Sequence, residues 1–316
     1  MLVINKNTIQ NIPIIGSLLT KTYRLLKYRI INNPFLELYF YINSIINTTS
    51  SVTNKNRSPL LIVSLTTIPE RIDRVYLGIE SLLRQTVKPD HIILWLNESI
   101  FNDDVLKFGK STTRRLLKQK KRGLKIEYCK DLRSFTKIIY TLKEYPEAIV
   151  VSADDDIFFP KNWLKELYES YLKNPEYVHC HMARSIRKEN DNKLLPYEQW
   201  LSHYDNFQGP SNNIFPYTGH GCLFPPNSLH AEVFNDKAFL DLCPNHDDAW
   251  FKAMTMMNDV KTMRVKNISR ISHSIRGTQQ KSLSNINILG SQFDPQVEAV
   301  FNKYDLFKYL DDKDPV

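Results

Sequence analysis

The chain has 316 residues, of which 42% are hydrophobic and 24% are charged, and its net charge is +8 at pH 7. This composition is typical of a globular protein, and the length allows one large domain or two small ones. No stretch approaches the roughly 20 uninterrupted apolar residues of a membrane span, and no signal-peptide pattern opens the chain, so secretion is not expected. The cysteines have no CxxC spacing, and we expect reduced, buried thiols without a metal or redox role. They are Cys129, Cys180, Cys222 and Cys243.

Most of the net charge lies near the N-terminus. Residues 1–58 contain seven basic residues and one acidic residue, which is six of the eight net positive charges. Residues 18–29 interleave leucine and tyrosine with lysine and arginine, a pattern typical of a basic amphipathic helix. Such a helix either lies on an anionic membrane surface or packs on the body with its basic face in water. We therefore expect a cytoplasmic protein, with peripheral contact at the inner face of a membrane as one of the two interpretations. Nucleic acid is not an expected partner, because no aromatic–basic pattern recurs.

Strands and helices alternate along the main part of the chain. The polar segment 47–59, which ends at a proline, predicts a linker. Apolar runs at 60–67, 91–97, 124–131 and 148–153 predict buried strands, and apolar residues at helical spacing lie between them. This alternation predicts an α/β fold with a largely parallel sheet. The predicted organisation is an N-terminal helical extension and linker at 1–58, a main domain at 59–266, and a C-terminal extension at 267–316 that completes or covers the site.

Three consecutive aspartates follow the fourth predicted strand, in IVVSADDDIFFP at 149–160. Ligands of open α/β sheets bind outside the carboxyl ends of the strands. In an extended chain, Asp154 and Asp156 share one face and Asp155 points away. Two converging carboxylates predict a Mg²⁺ or Mn²⁺ site whose other positions are filled by water and substrate phosphates. The alternative is that the acidic cluster caps the helix predicted to begin at Pro160.

Four segments, in this order along the chain, resemble the GT-A glycosyltransferases. SLTTIPERIDRVYLGIESLLRQTVKPDHIILWL is similar to the opening strand–helix–strand of bacterial enzymes that assemble lipopolysaccharide or capsule, and IVVSADDDIFFPKNWL resembles the family's DxD segment. GHGCLFPPNSLH and CPNHDDAWFKAM extend the resemblance over residues 60–266. It implies a Rossmann-like, mostly parallel central sheet with helices on both faces. Because the aspartates are triple, Asp155 and Asp156 are an alternative metal pair.

The resemblance implies a metal-dependent, inverting transfer of sugar from a nucleotide-sugar donor, preferably a UDP-sugar, to a glycan or lipid-linked acceptor. Asp154 and Asp156 would hold Mn²⁺ or Mg²⁺, which neutralises the leaving diphosphate. Lys137 and Arg71 follow predicted strands and are candidate phosphate contacts, although each is equally consistent with a solvated surface charge. The candidate donor-binding residues are Thr66, Thr67, Arg71, Lys137, Asp154 and Asp155.

An acidic pair opens a later predicted helix, in PNHDDAWFKAM. In inverting enzymes that the chain resembles, a pair at this point carries the base that deprotonates the acceptor. Asp248 matches best and Asp247 second. The alternative is that both simply complement the helix dipole, which lowers a carboxyl pKa and so weakens a base. The acceptor-binding candidates, in the glycine-containing loop and the acidic helix, are Gly219, His220, Gly221 and Trp250. A tight turn without a ligand is the alternative for this loop.

Two other functions share parts of this pattern. A sugar nucleotidyltransferase also places carboxylates and a metal at a parallel sheet edge, but it should carry a glycine-rich phosphate loop after the first strand. SLTTIPERI contains no glycine. A glycan-binding protein on a degenerate transferase scaffold is the non-enzymatic alternative, and the presence of Asp154, Asp156 and Asp248 argues against it.

Overall fold

The computed structural model describes residues 33–53, 57–101, 110–190, 193–202, 207–265, 273–283 and 285–312. The helices in these ranges are α1 (Asn33–Ile46), α2 (Ile72–Leu83), α3 (Lys110–Lys120), α4 (Thr136–Glu144), α5 (Trp163–Lys173), α6 (Asp236–Leu242), α7 (Asp247–Met257) and α8 (Phe293–Tyr304). The strands are β1 (Leu61–Thr66), β2 (His91–Asn97), β3 (Leu124–Cys129), β4 (Ile149–Ser152), β5 (Ile157–Phe158), β6 (Val178–Cys180), β7 (Ala183–Ser185), β8 (Lys188–Asn190), β9 (Lys193–Leu194), β10 (Ile214–Pro216), β11 (Cys222–Phe224), β12 (Thr262–Arg264) and β13 (His273–Ser274).

The central sheet has seven strands in the order β12–β6–β11–β4–β1–β2–β3. The pairs β4–β1, β1–β2, β2–β3 and β12–β6 are parallel. Strand β11 runs antiparallel to both of its neighbours, β4 and β6. The prediction of an α/β fold with a largely parallel sheet is therefore confirmed.

The strand sequences are continuous apolar runs because both faces of the sheet are covered by apolar packing. Along β1, Leu61, Val63 and Leu65 belong to the core that β1 shares with α2 and α5. Ile62 points to the other face, into a cluster against which α4 packs. On the face of Ile62, the Ser64 hydroxyl lies 2.6 Å from that of Thr141 on α4. The parallel strands β1, β2 and β4 thus direct their carboxyl ends to one edge, between helical layers.

Only part of the predicted N-terminal extension, residues 1–58, lies within the described residues. The expected basic helix at 18–29 lies outside them, whereas α1 falls in the same predicted extension. The predicted linker is held against the body where it is described, because Ser51 N donates to Arg122 O and Thr53 N to Pro89 O. Among the described helices, none has the length and apolar character to cross a membrane.

A lysine is fully buried in the core. Lys252 on α7 donates from Nζ to Thr262 Oγ1 at 3.3 Å, and burial lowers the pKa of Lys252 to about 7. The folded-state pKa thus lies below the unfolded value, so the folded state binds fewer protons in the window above pH 7. Stability should therefore rise as pH rises from about 7 towards the ordinary lysine pKa of about 10.4.

We expect Lys252→Met to raise the melting temperature at pH 7 and below, because it removes a buried charge without leaving a partner charge unpaired. It should also flatten the rise in stability at higher pH. Thermal unfolding of both proteins between pH 6 and pH 10 measures this. A variant that is less stable than wild type at pH 6 would contradict it.

Candidate functional site

The carboxyl ends of the parallel strands open into a cavity of about 570 Å³. Its walls come from the segments that follow β1 and β4, the first turn of α4, the loop before β11, the start of α7 and the C-terminal segment. The predicted site residues that line it are Thr66, Thr67, Arg71, Lys137, Asp154, Asp155, Asp156, Gly219, His220, Asp247 and Asp248.

The three aspartates lie where the chain leaves β4, and Asp155 and Asp156 form a turn before β5. Both pair with Arg71: Asp155 Oδ1 accepts from Nη1 at 2.8 Å, and Asp156 Oδ2 lies 3.2 Å from Nη2. The Thr67 hydroxyl donates to Asp155 Oδ2. The expectation that Asp155 points away from its neighbours is therefore wrong, because alternation holds in an extended chain and the chain turns here.

Lys137, in the first turn of α4, joins the two acidic groups of the cavity. Its Nζ lies 2.8 Å from Asp154 Oδ1 and 3.0 Å from Asp247 Oδ2. Burial alone would lower the pKa of Lys137, but the carboxylates of Asp154, Asp247 and Asp248 outweigh it and raise the pKa above its ordinary value. The ammonium group therefore stays charged, and it holds the end of β4 and the start of α7 at a fixed separation.

The acidic pair of α7 is arranged around Thr218. Asp248 Oδ1 accepts a hydrogen bond from Thr218 N at 2.8 Å. The Thr218 hydroxyl lies 2.6 Å from Asp248 Oδ1 and 2.9 Å from Asp247 Oδ2. Burial raises the pKa of Asp248 to about 7, and the charge of Asp247 adds to this. For Asp247, burial acts in the same direction, but Lys137 outweighs it and the pKa is lowered.

These opposite shifts separate the two carboxyl groups chemically. Asp247 stays ionised beside Lys137, whereas Asp248 titrates near neutral pH and accepts a proton readily. A helix N-terminus by itself would lower both pKa values. At Asp248, burial and the charge of Asp247 raise the pKa and outweigh the lowering by Lys137 and by the hydrogen bonds from Thr218.

The glycine loop packs closely against the aspartates. Gly219 O accepts from Asp154 N at 3.1 Å, and a side chain at Gly219 would collide with the Asp154 carboxylate. Gly221 has φ +112°, and a side chain there would meet the indole of Trp163. Backbone conformation and core packing therefore explain why position 221 requires glycine. The side chain of His220 reaches the cavity wall, and burial lowers its pKa.

Two acceptor-binding predictions require correction. Trp250 is fully buried and donates from Nε1 to Val233 O at 3.2 Å, because this side of α7 faces the core. Gly221 packs on Trp163 and likewise does not line the cavity. We therefore remove both from the candidate site.

Several cavity residues were not predicted. Gln279 donates to Asp156 Oδ2 at 2.8 Å, and Thr278 O accepts from Arg71 Nε at 3.0 Å. The C-terminal segment therefore holds residues 154–156, the aspartate turn, in place. The Tyr197 and Tyr217 hydroxyls lie 2.7 Å apart at another wall, next to Phe293. No local motif marks these residues. A spatial contact across 123 residues, such as Gln279 with Asp156, leaves no signal in a single sequence.

A divalent cation fits this donor set. Among the described residues, no three His, Cys, Asp or Glu side chains converge as a complete metal site. Mg²⁺ and Mn²⁺ sites on phosphate substrates need only one or two carboxylates, with water and phosphate oxygens filling the rest. The Asp154 side chain is 38% exposed to the cavity. Burial, together with the charges of Asp154 and Asp155, raises the pKa of Asp156 to about 7, and a cation would relieve this repulsion.

The geometry also separates the two candidate metal pairs. Both oxygens of Asp155 already accept hydrogen bonds, one from Arg71 and one from Thr67. The bonds described for Asp156 use Oδ2, and those for Asp154 use Oδ1. Asp155 therefore orients Arg71 and the turn, whereas Asp154 and Asp156 each have one carboxylate oxygen outside the hydrogen bonds described here.

In comparisons with known proteins, no protein-family model and no curated protein sequence matches this chain. The functional interpretation therefore rests on the chemistry of the cavity.

Proposed function

We propose that this protein is a metal-dependent glycosyltransferase of the GT-A type, which moves a sugar from a nucleotide-sugar donor to a glycan or lipid-linked acceptor with inversion at the anomeric carbon. One observation carries the proposal. Two chemically distinct acidic groups, Asp154–Asp156 and Asp247–Asp248, face one cavity at the carboxyl edge of a parallel sheet and are joined through Lys137.

The aspartate turn is the proposed donor side. Asp154 and Asp156 would hold Mn²⁺ or Mg²⁺, which acts as a Lewis acid on the leaving diphosphate when bound. Arg71 and Lys137 are paired with carboxylates, so we assign them to positioning the aspartates as well as to the positive potential at the phosphates. Thr66 ends β1 on the cavity wall, where a nucleotide would lie against the sheet edge.

The start of α7 is the proposed acceptor side. A general base works best when its pKa lies near the operating pH, and the pKa of Asp248 is about 7. Thr218 fixes Oδ1 of this carboxyl group through two hydrogen bonds. Tyr217 and Phe293 line the cavity and supply apolar faces on which a sugar ring can pack.

The test is a panel of UDP-, GDP- and CMP-sugars, incubated with the protein in Mn²⁺, in Mg²⁺ and in a chelator. We expect release of nucleoside diphosphate from one class of donor only when a divalent cation is present, with the released or transferred sugar inverted as observed by NMR. Formation of nucleotide sugar from a nucleoside triphosphate and a sugar phosphate would instead identify a nucleotidyltransferase. Glycan binding without turnover of any donor would identify a binding protein.

Gly219→Ala offers a test of the proposed donor side. The new methyl group would displace the Asp154 carboxylate, because both cannot occupy the same space. We expect a folded protein with weaker cation-dependent donor binding, measured by calorimetry with UDP and Mn²⁺. Ala153→Gly, a neighbouring change that adds no atoms, is the control for general perturbation of this segment. Unchanged UDP affinity in Gly219→Ala would contradict the placement of Asp154 in the metal site.

A further inference from the structure

Helix α1 has an inner and an outer face. On the inner face, Phe40 is buried and stacks on Phe158 with ring centroids 5.0 Å apart. On the outer face, large apolar side chains recur at spacings of three or four residues and remain exposed, from 43% to 70% of their surface. These residues form the α1 stripe: Phe35, Leu38, Ile42, Ile45 and Ile46. A contiguous apolar stripe of this kind marks a contact surface more often than bare surface.

Positive charge borders the α1 stripe. The neighbouring helix α3, KSTTRRLLKQK, contains five basic residues and no acidic one. Its Arg115 guanidinium lies 4.7 Å from the Tyr41 ring centroid, and Lys118 Nζ donates to Ile45 O at 2.6 Å. On the other side, the Arg84 guanidinium lies 5.1 Å from the Tyr39 ring centroid. The single acidic residue of α1, Glu37, pairs with Arg74 at 3.4 Å.

We propose that the α1 stripe docks on an anionic membrane surface, with its apolar side chains at the headgroup boundary and α3 against the lipid phosphates. Apolar insertion and attraction to anionic lipid are the two contributions that hold an interfacial helix. The sequence before α1 has the same character, because residues 1–32 contain five basic residues and no acidic one. A second copy of the chain is a poorer partner, since two α3 helices would bring like charges together.

This surface is connected to the cavity by a short segment. Glu37 Oε1 accepts from Arg276 N at 2.8 Å. Three residues later, Gln279 bonds Asp156. Membrane docking of α1 would therefore place the aspartate turn close to the lipid surface. If the proposed glycosyltransferase function holds, on which this step rests, the acceptor is a lipid-linked one.

The experiment is co-sedimentation of the full chain with vesicles of neutral phosphatidylcholine, with and without anionic phosphatidylglycerol. We expect wild type to bind the anionic vesicles, and less so as salt is raised. Ile42→Glu/Ile45→Glu should weaken binding at least about tenfold, because it loses apolar insertion and adds two negative charges. Leu172→Glu is the matched control, since Leu172 is 59% exposed on α5 and lies outside the α1 stripe, and it should bind as wild type does.

Three results would overturn the proposal. They are equal binding of wild type to neutral and anionic vesicles, unchanged binding of the double variant, and a wild-type dimer that the double variant converts to monomer in sedimentation. Hydrolysis of nucleotide sugar in vesicle-free solution separates the two proposals, because the double variant should retain it. Vesicle binding without any hydrolysis would refute the enzymatic proposal and leave the docking surface intact.

Discussion

Asp248→Asn is expected to reduce sugar transfer by roughly 10² to 10⁴, the usual contribution of a general base, while donor and cation still bind. The amide keeps the shape of the carboxyl group and its contact with Thr218 N. It cannot take the proton of the acceptor hydroxyl. The diphosphate is held at the aspartate turn after β4, so its affinity should not depend on Asp248. Transfer rates and UDP affinity, measured on the same preparation, separate chemistry from binding.

The pH dependence of sugar transfer is a second test of Asp248 as the base. The base acts in its deprotonated form, so transfer by wild type should fall as pH decreases through about 7, the pKa to which burial and Asp247 raise Asp248. Residual transfer by Asp248→Asn should lose this limb. Asp131→Asn is the control, because Asp131 lies on the cavity wall outside the acidic cluster. Near-normal transfer by Asp248→Asn, or a product with retained configuration, would refute its assignment as base.

Asp154→Asn is expected to abolish cation-dependent binding of UDP at concentrations at which wild type is saturated. Loss of an outer-shell partner costs 10–100-fold in metal affinity, and loss of a charged ligand should cost more. The fold should survive, because the Asp154 side chain is 38% exposed and an amide oxygen can still accept from Lys137. Calorimetry with UDP in Mn²⁺ and in a chelator measures the effect.

Asp155→Asn provides a contrast within the same turn. Asp155 is buried and holds Thr67 and Arg71, so its loss should lower the melting temperature and disturb the turn. Asp154→Asn should lower the melting temperature of the unliganded protein less, because the Asp154 side chain is 38% exposed and Lys137 keeps Asp247 as a charged partner. If Asp154→Asn retains cation-dependent UDP affinity, the proposed metal pair is wrong.

The sheet and the location of the cavity were predictable from sequence because they follow from local patterns. Strands buried on both faces give long apolar runs, as in LIVSLT of β1 and HIILWLN of β2. Their parallel arrangement then places the residues after β4 at the ligand-binding edge. The antiparallel strand within the central sheet, β11, is not predicted by the sequence, since a three-residue strand carries little pattern of its own.

The details of the site depended on tertiary contacts that a single sequence does not encode locally. The orientation of Asp155 follows from a turn between β4 and β5, where strand alternation fails. Trp250 is an acceptor-binding candidate on the acidic helix from sequence, yet its side of α7 faces the core and the side chain is fully buried. The pKa of Asp248 is set by burial and by Asp247 against Lys137 and the hydrogen bonds from Thr218, and only the packed structure brings these groups together.

Crystals grown with Mn²⁺ and UDP provide the most direct test of the central claim, which is that this cavity binds a nucleoside diphosphate through a cation held by the aspartate turn. Anomalous scattering locates Mn²⁺ independently of the nucleotide density. We expect one anomalous peak within coordination distance of the Asp154 and Asp156 carboxylates and of both phosphates, with the uridine near Thr66. A peak elsewhere, or UDP bound in the cavity without a cation between its phosphates and these carboxylates, would contradict the account.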